Sequence, residues 1–134
     1  MVSNISNNIV GGITATNSST GGSSIYGIRA FTSSTVVNTF QNNQIGFAAA
    51  PISSNATTST VSRVVGLYSQ TGASIVTGNT ITNLNAASPN VGTGSASSVI
   101  GLWSDNSSAT IGNNISQNVI HTLSNSNAAA AVWV

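Results

Sequence analysis

The feature that most constrains this chain is a six-residue pattern, apolar-x-x-Asn-x-apolar, which occurs four times at nearly constant spacing, over residues 5–10, 40–45, 76–81 and 115–120. Its asparagines, Asn8, Asn43, Asn79 and Asn118, are separated by 35, 36 and 39 residues, a period of supersecondary size. A second landmark advances in phase with it. It reads Ile25-Tyr26-Gly27-Ile28-Arg29, then Val64-Val65-Gly66-Leu67-Tyr68, then Val99-Ile100-Gly101-Leu102-Trp103, with Ala129-Ala130-Ala131-Val132-Trp133 as a worn fourth copy. Two landmarks in step make residues 1–134 one repeat array, better counted in coils than in domains.

The residues between and within the landmarks say what each coil is made of. Ser, Thr, Asn and Gly supply 71 positions, while 26 residues are Val or Ile against only 4 Leu. β-Branched side chains fit a pleated, half-buried surface, and the small polar residues supply turns. Stretches of low complexity at 14–24, 48–60, 85–98, 104–110 and 124–128 differ in length from copy to copy, as loops on a stacked scaffold do. Pro51 and Pro89 fall inside them, where a missing N–H does least harm to a strand ladder. The Ala-rich runs are too short for helices.

Strands in coils of 35–39 residues, turns rich in Asn and Gly, and no helical crossover leave one economical arrangement: an all-β parallel β-solenoid of about four coils. Successive coils then stack at about 4.8 Å, the ordinary strand spacing. Equivalent residues lie above one another, so Asn8, Asn43, Asn79 and Asn118 are expected to form an internal amide ladder. Alternation along the second landmark sends Tyr26 with Ile28, Val65 with Leu67, and Ile100 with Leu102 into the core. It leaves Ile25, Val64 and Val99, the three glycines, and a column of Arg29, Tyr68, Trp103 and Trp133 on the outer face.

The Asn motif, as in Val76-Thr77-Gly78-Asn79-Thr80-Ile81, resembles the right-handed parallel β-helix repeats of the pectin-lyase-like superfamily and of the large bacterial surface proteins built from them. The resemblance implies a right-handed coil and an extracellular or cell-surface setting in a bacterium. Its members include polysaccharide lyases and hydrolases, passengers of autotransporters, phage tailspikes and adhesins, so the fold alone does not choose an activity.

Composition excludes several of those activities. The charged residues are Arg29, Arg63 and Asp105, with His121 the single histidine. Hydrolysis of a glycosidic bond uses two carboxyl groups, and one is present. A calcium-dependent lyase needs several acidic ligands. The 24 serines give no Ser–His–Asp spacing that selects a triad. The reading is therefore no enzyme, no cofactor and no metal, with His121 solvated where other copies carry Gly11, Gly46 or Thr82. Two arginines cannot make the basic footprint of a nucleic-acid binder, and no apolar run is long enough for a membrane span. Cysteine is absent, which fits an exported protein whose signal lies outside this chain. Five Asn-x-Ser/Thr sequons, at Asn4, Asn17, Asn55, Asn106 and Asn114, match what 18 Asn and 40 Ser or Thr give by composition.

Three functional readings follow. The first is a structural repeat of an extracellular filament or assembly: neither end carries a polar capping coil, so the chain is a section of a longer solenoid or a protomer that self-associates end to end or laterally. The second is an adhesive module that binds glycan through the strip Arg29, Tyr68, Trp103 and Trp133, with cation–π support from Arg29. An apolar interface suits the strip better, since its Ile and Val neighbours offer nothing to sugar hydroxyls. The third is an ice-binding solenoid, but the Thr pairs at 14/16, 58/60 and 80/82 stand 6, 15 and 1 residues after their Asn and do not align.

Overall fold

A computed structural model describes residues 2–17, 20–127 and 132–133, with Val2, Val132 and Trp133 described by their backbone alone. The chain opens with β1 (Val2–Ser6), β2 (Ile9–Val10), β3 (Ile13–Ala15) and β4 (Ser24–Phe31). The next winding repeats them as β5 (Val37–Gln41), β6 (Gln44–Ile45), β7 (Ile52–Ser54) and β8 (Arg63–Gln70). A third comprises β9 (Ala73–Thr77), β10 (Thr80–Ala86) and β11 (Val99–Asp105), and β12 (Asn114–Ser116), β13 (Val119–Asn125) and β14 (Val132–Trp133) lie on it. Every named strand pairs in parallel with its counterpart one winding away, giving a β1-β5-β9-β12 wall, a wall built on β10, and a β4-β8-β11-β14 wall.

The molecule is thus an all-β parallel solenoid of about three coils. Four recurring landmarks enclose only three intervals, and the last copy begins a winding that rests on the third coil. The one helical element among the described residues is a single 3₁₀ turn, Gly94–Ala96, and no helix there is long and apolar enough to cross a membrane.

Columns of like residues fill the interior. Phe40 and Val76 stack in the first wall, Ile45 with Ile81 and Ile52 with Leu84 in the second, and Val64 with Val99 in the third, all fully buried. Their terminal counterparts Ile5, Val10, Ile13, Ile120 and Leu123 are half-covered, each with a stacked neighbour on one side among the described residues. Ile52 lies in a stretch that composition marks as loop, and β3 and β7 are likewise strands of three residues set in Ser-rich surroundings. Such short elements carry too few apolar positions to declare a period of two.

The faces of the third wall differ from simple alternation. Ile25, Ile28 and Ala30 belong to the interior core with Val64, Leu67 and Val99, whereas Val65, Ile100 and Tyr68 form a second cluster with Tyr26 and Trp103. Tyr26, Val65 and Ile100 therefore lie outside, and Ile25, Val64 and Val99 inside, the reverse of the sequence reading. The cause is the glycine column. Pairing passes from Tyr26↔Val65 directly to Ile28↔Leu67, so the strand bends at Gly27 and Gly66 and alternation restarts one residue late. Only glycine fits there: a Cβ on Gly27 would stand 2.5 Å from the Ile45 side chain and 2.6 Å from the Gly66 carbonyl oxygen.

Candidate functional site

At the corner between the first and second walls the residue before each ladder asparagine is left-handed: Asn7, Asn42, Gly78 and Gln117 have φ of 57°, 52°, 68° and 56°. That conformation turns the chain and aims the next side chain inward; Asn and Gly adopt it readily. The amides then stack as the repeat implied. Asn8 Nδ2 donates to Asn43 Oδ1, Asn43 Nδ2 to Asn79 Oδ1, and Asn79 Nδ2 to Asn118 Oδ1, each at 2.9 Å. Each Oδ1 also accepts the backbone N–H of the asparagine below, at 3.0 Å. The second amide hydrogen reaches back one coil: Asn43 to the Ile5 carbonyl, Asn79 to that of Phe40, Asn118 to that of Val76. Asn43 and Asn79 are 1 % and 0 % exposed, yet no hydrogen-bonding atom of either amide is idle.

On the outside of the third wall, register puts Arg29 beside Tyr68 and Tyr68 beside Trp103. Tyr68 and Trp103 stack with centroids 4.1 Å apart at 19°, and Tyr26 continues the stack at 5.7 Å and 23°. The guanidinium of Arg29 sits 5.0 Å from the Tyr26 ring and 5.5 Å from that of Tyr68, and its Nη2 donates to Gln70 Oε1. Arg63 lies 5.9 Å from the Trp103 ring and donates to the Ser95 carbonyl at 2.9 Å. The rings thus face one another along the solenoid axis, and the middle one, Tyr68, is only 4 % exposed. Burial first, and the negative charge of Asp105 second, push the Tyr68 phenol above its ordinary value. The fourth member of the column is placed differently: backbone pairing sets Val132 on Val99 and Trp133 on Ile100, three positions short of Trp103. The Trp133 side chain lies outside the described residues.

Two further polar seams have no counterpart in the sequence reading. Where the third wall turns into the first, Asn38 donates to Ser69 Oγ at 3.0 Å, Ser74 Oγ to Ser69 Oγ at 2.7 Å, Ser74 and Ser104 meet at 3.0 Å, and Asn113 donates to Ser104. Between the second and third walls Ser88 bonds the Ser59 carbonyl, Asn90 those of Ser62 and Ala96, and Asn125 the Ser88 carbonyl and Ser98 Oγ. These seams change residue type from coil to coil, so no fixed motif announces them.

His121 is exposed with Nδ1 2.7 Å from Thr122 Oγ1, Asp105 ends β11 in register with Gln70, and among the described residues no three His, Cys, Asp or Glu gather to hold a metal. A cavity of about 200 Å³ is lined by Gly94, Ser95, Ile100, Leu102, Trp103 and Ser104, none of them acidic or basic. Thr14 and Thr80 stand in different columns, the first in register with Ser53 and the second with Gln44 and Val119.

Fold and seams together define a parallel β-solenoid held by stacked side-chain ladders. No protein-family model, curated protein or solved structure matches the chain.

Proposed function

We propose that this chain is a non-catalytic structural element of an extracellular or bacterial cell-surface assembly, a right-handed β-helix section whose coils extend by parallel stacking. The observation that carries the reading is where the scarce functional groups are engaged. Arg29 and Arg63 lie against Tyr26, Tyr68 and Trp103, the buried amides bond to one another, and His121 stands apart on a solvated edge. Such groups hold neighbouring coils together and are not directed at a common point where a substrate would react.

The same geometry takes support from the glycan reading. A sugar ring needs an exposed aromatic face, whereas Tyr68 has a ring stacked on either side. It also weakens the case for a broad apolar interface there, because Val65, Ile100 and Tyr68 already cover one another. Fibre diffraction and electron microscopy of the purified chain test the proposal: ordered fibres with a meridional repeat of about 4.8 Å are expected. A protein that stays unassembled, or one that turns over a polysaccharide, would overturn it.

A further inference from the structure

The five Asn-x-Ser/Thr sequons read alike in the sequence and are unlike in the fold. Asn4 and Asn114 stand inside β1 and β12, whose main chain is committed to the ladders with β5 and β9, and Asn4 Oδ1 accepts the Ser6 hydroxyl. Asn17 Nδ2 donates to the Gly21 carbonyl at 2.6 Å. Asn106 is tied at both atoms: Nδ2 donates to the Ile111 carbonyl at 2.9 Å, and Oδ1 accepts the Ser108 N–H at 2.8 Å. Asn55 differs from all four. It follows the end of β7, is exposed, and its carboxamide makes no hydrogen bond among the described residues.

The two residues after it complete the sequon in an accessible form. Ala56 is fully buried, which holds the middle of the triplet inward and leaves Asn55 and Thr57 exposed on either side of it. The Thr57 N–H donates to the Asn55 carbonyl at 3.0 Å, a bond across one residue that bends the chain. A carboxamide nitrogen is a poor nucleophile, because resonance draws its lone pair into the carbonyl. An enzyme that uses it must grip the amide and the hydroxyl two residues on together, which requires both to face solvent. β7 pairs with β3 on one side and with β10 on the other, so Asn55 is exposed on the flank of the solenoid with a coil to each side.

We propose that Asn55 is an N-glycosylation site, the acceptor for a sequon-reading glycosyltransferase that uses a glycosyl diphosphate donor. Asn55 Nδ2 bonds to the anomeric carbon as the bond from that carbon to the diphosphate oxygen breaks. The diphosphate leaves with the electron pair, and one Nδ2 hydrogen passes to the transferase as a proton. The sugar then stands on the flank, clear of the buried Asn43–Asn79 rungs and the apolar columns. Nothing in this site requires the assembly described above.

The folded full chain is offered two donors in separate reactions, nucleoside-diphosphate glucose with a soluble sequon-reading transferase and a lipid-diphosphate oligosaccharide with an oligosaccharyltransferase, and its peptides are mapped by mass spectrometry. Sugar is expected on the Asn55 peptide in at least one reaction, which identifies the donor class. It is expected to be absent in Asn55→Gln and Thr57→Ala, with circular dichroism unchanged at these exposed positions. In a Ser108→Thr chain, whose Asn55 and Asn106 sequons both end in threonine, use of Asn106 must first break two hydrogen bonds, so Asn106 should carry at least about tenfold less sugar than Asn55. Synthetic peptides bearing the same two sequons should lose that preference. An unmodified Asn55 in both reactions, or occupancy of Asn106 equal to or above that of Asn55 on the folded chain, would overturn the site.

Discussion

The asparagine spine and the aromatic seam run parallel along the same solenoid and solve opposite problems. Inside, each rung is the same residue, because a buried amide must donate upward, donate back and accept at once, and no other side chain of that length meets all three demands. Outside, the seam passes from Arg29 and Tyr26 through Tyr68 to Trp103, since stacking and cation–π attraction ask only for a flat or charged partner. Where failure leaves an orphaned polar group, chemistry is uniform; where it leaves a gap at the surface, chemistry drifts.

That contrast can be broken on purpose. The largest effect belongs to Asn79→Ala, which strips partners from Asn43, Asn118 and the Phe40 carbonyl together. With about 1–3 kcal/mol for each orphaned buried group, the loss is on the order of 3 kcal/mol or more. Asn8→Ala, at an exposed rung, should cost only about 1 kcal/mol. Urea unfolding of the pair checks the ratio, and equal losses would mean that the spine contributes no more inside than at its end.

Tyr68→Ala comes next. It removes the middle of a three-ring stack and opens the cover over Val65 and Ile100, with an expected loss of about 2–3 kcal/mol by the same measurement. A loss no larger than that for a lone surface tyrosine would show that the seam is ornamental.

The smallest effect is one of pH. The Tyr68 phenol is held above its ordinary value of 10.0, so the folded chain keeps its proton after the unfolded chain has released it. The stabilisation from that difference is complete below about pH 10 and is lost as pH rises through the folded value. Urea midpoints at mildly and strongly alkaline pH should therefore fall less in Tyr68→Phe than in wild type, and identical slopes would contradict the burial assigned to this ring.

The architecture was legible because its strongest constraint repeats one residue at a fixed step; Asn43 and Asn79 had to be neighbours once coils were inferred. The pairing of Arg29, Tyr68 and Trp103 was legible for the same reason. Their surroundings were not. A count of alternating positions cannot see a strand bend at Gly66, and so exchanges the faces of Val64 and Val65. Nor could it register Trp133, whose alanine-rich copy fixes no phase and which the backbone pairs with Ile100. The seams through Ser69, Ser74 and Ser104 stayed hidden because serine is everywhere in this chain and marks nothing by its presence.

The second wall shows how such a molecule accommodates change. One winding breaks between β6 and β7 for the detour of residues 46–51, while β10 makes the equivalent turn within one strand, on the left-handed Asn83, and both still align with the coils beside them. A segment inserted at that break leaves the stacking of its neighbours in phase. New appendages can therefore be grown on the rim of one turn and selected independently, without redesigning the shaft that carries them.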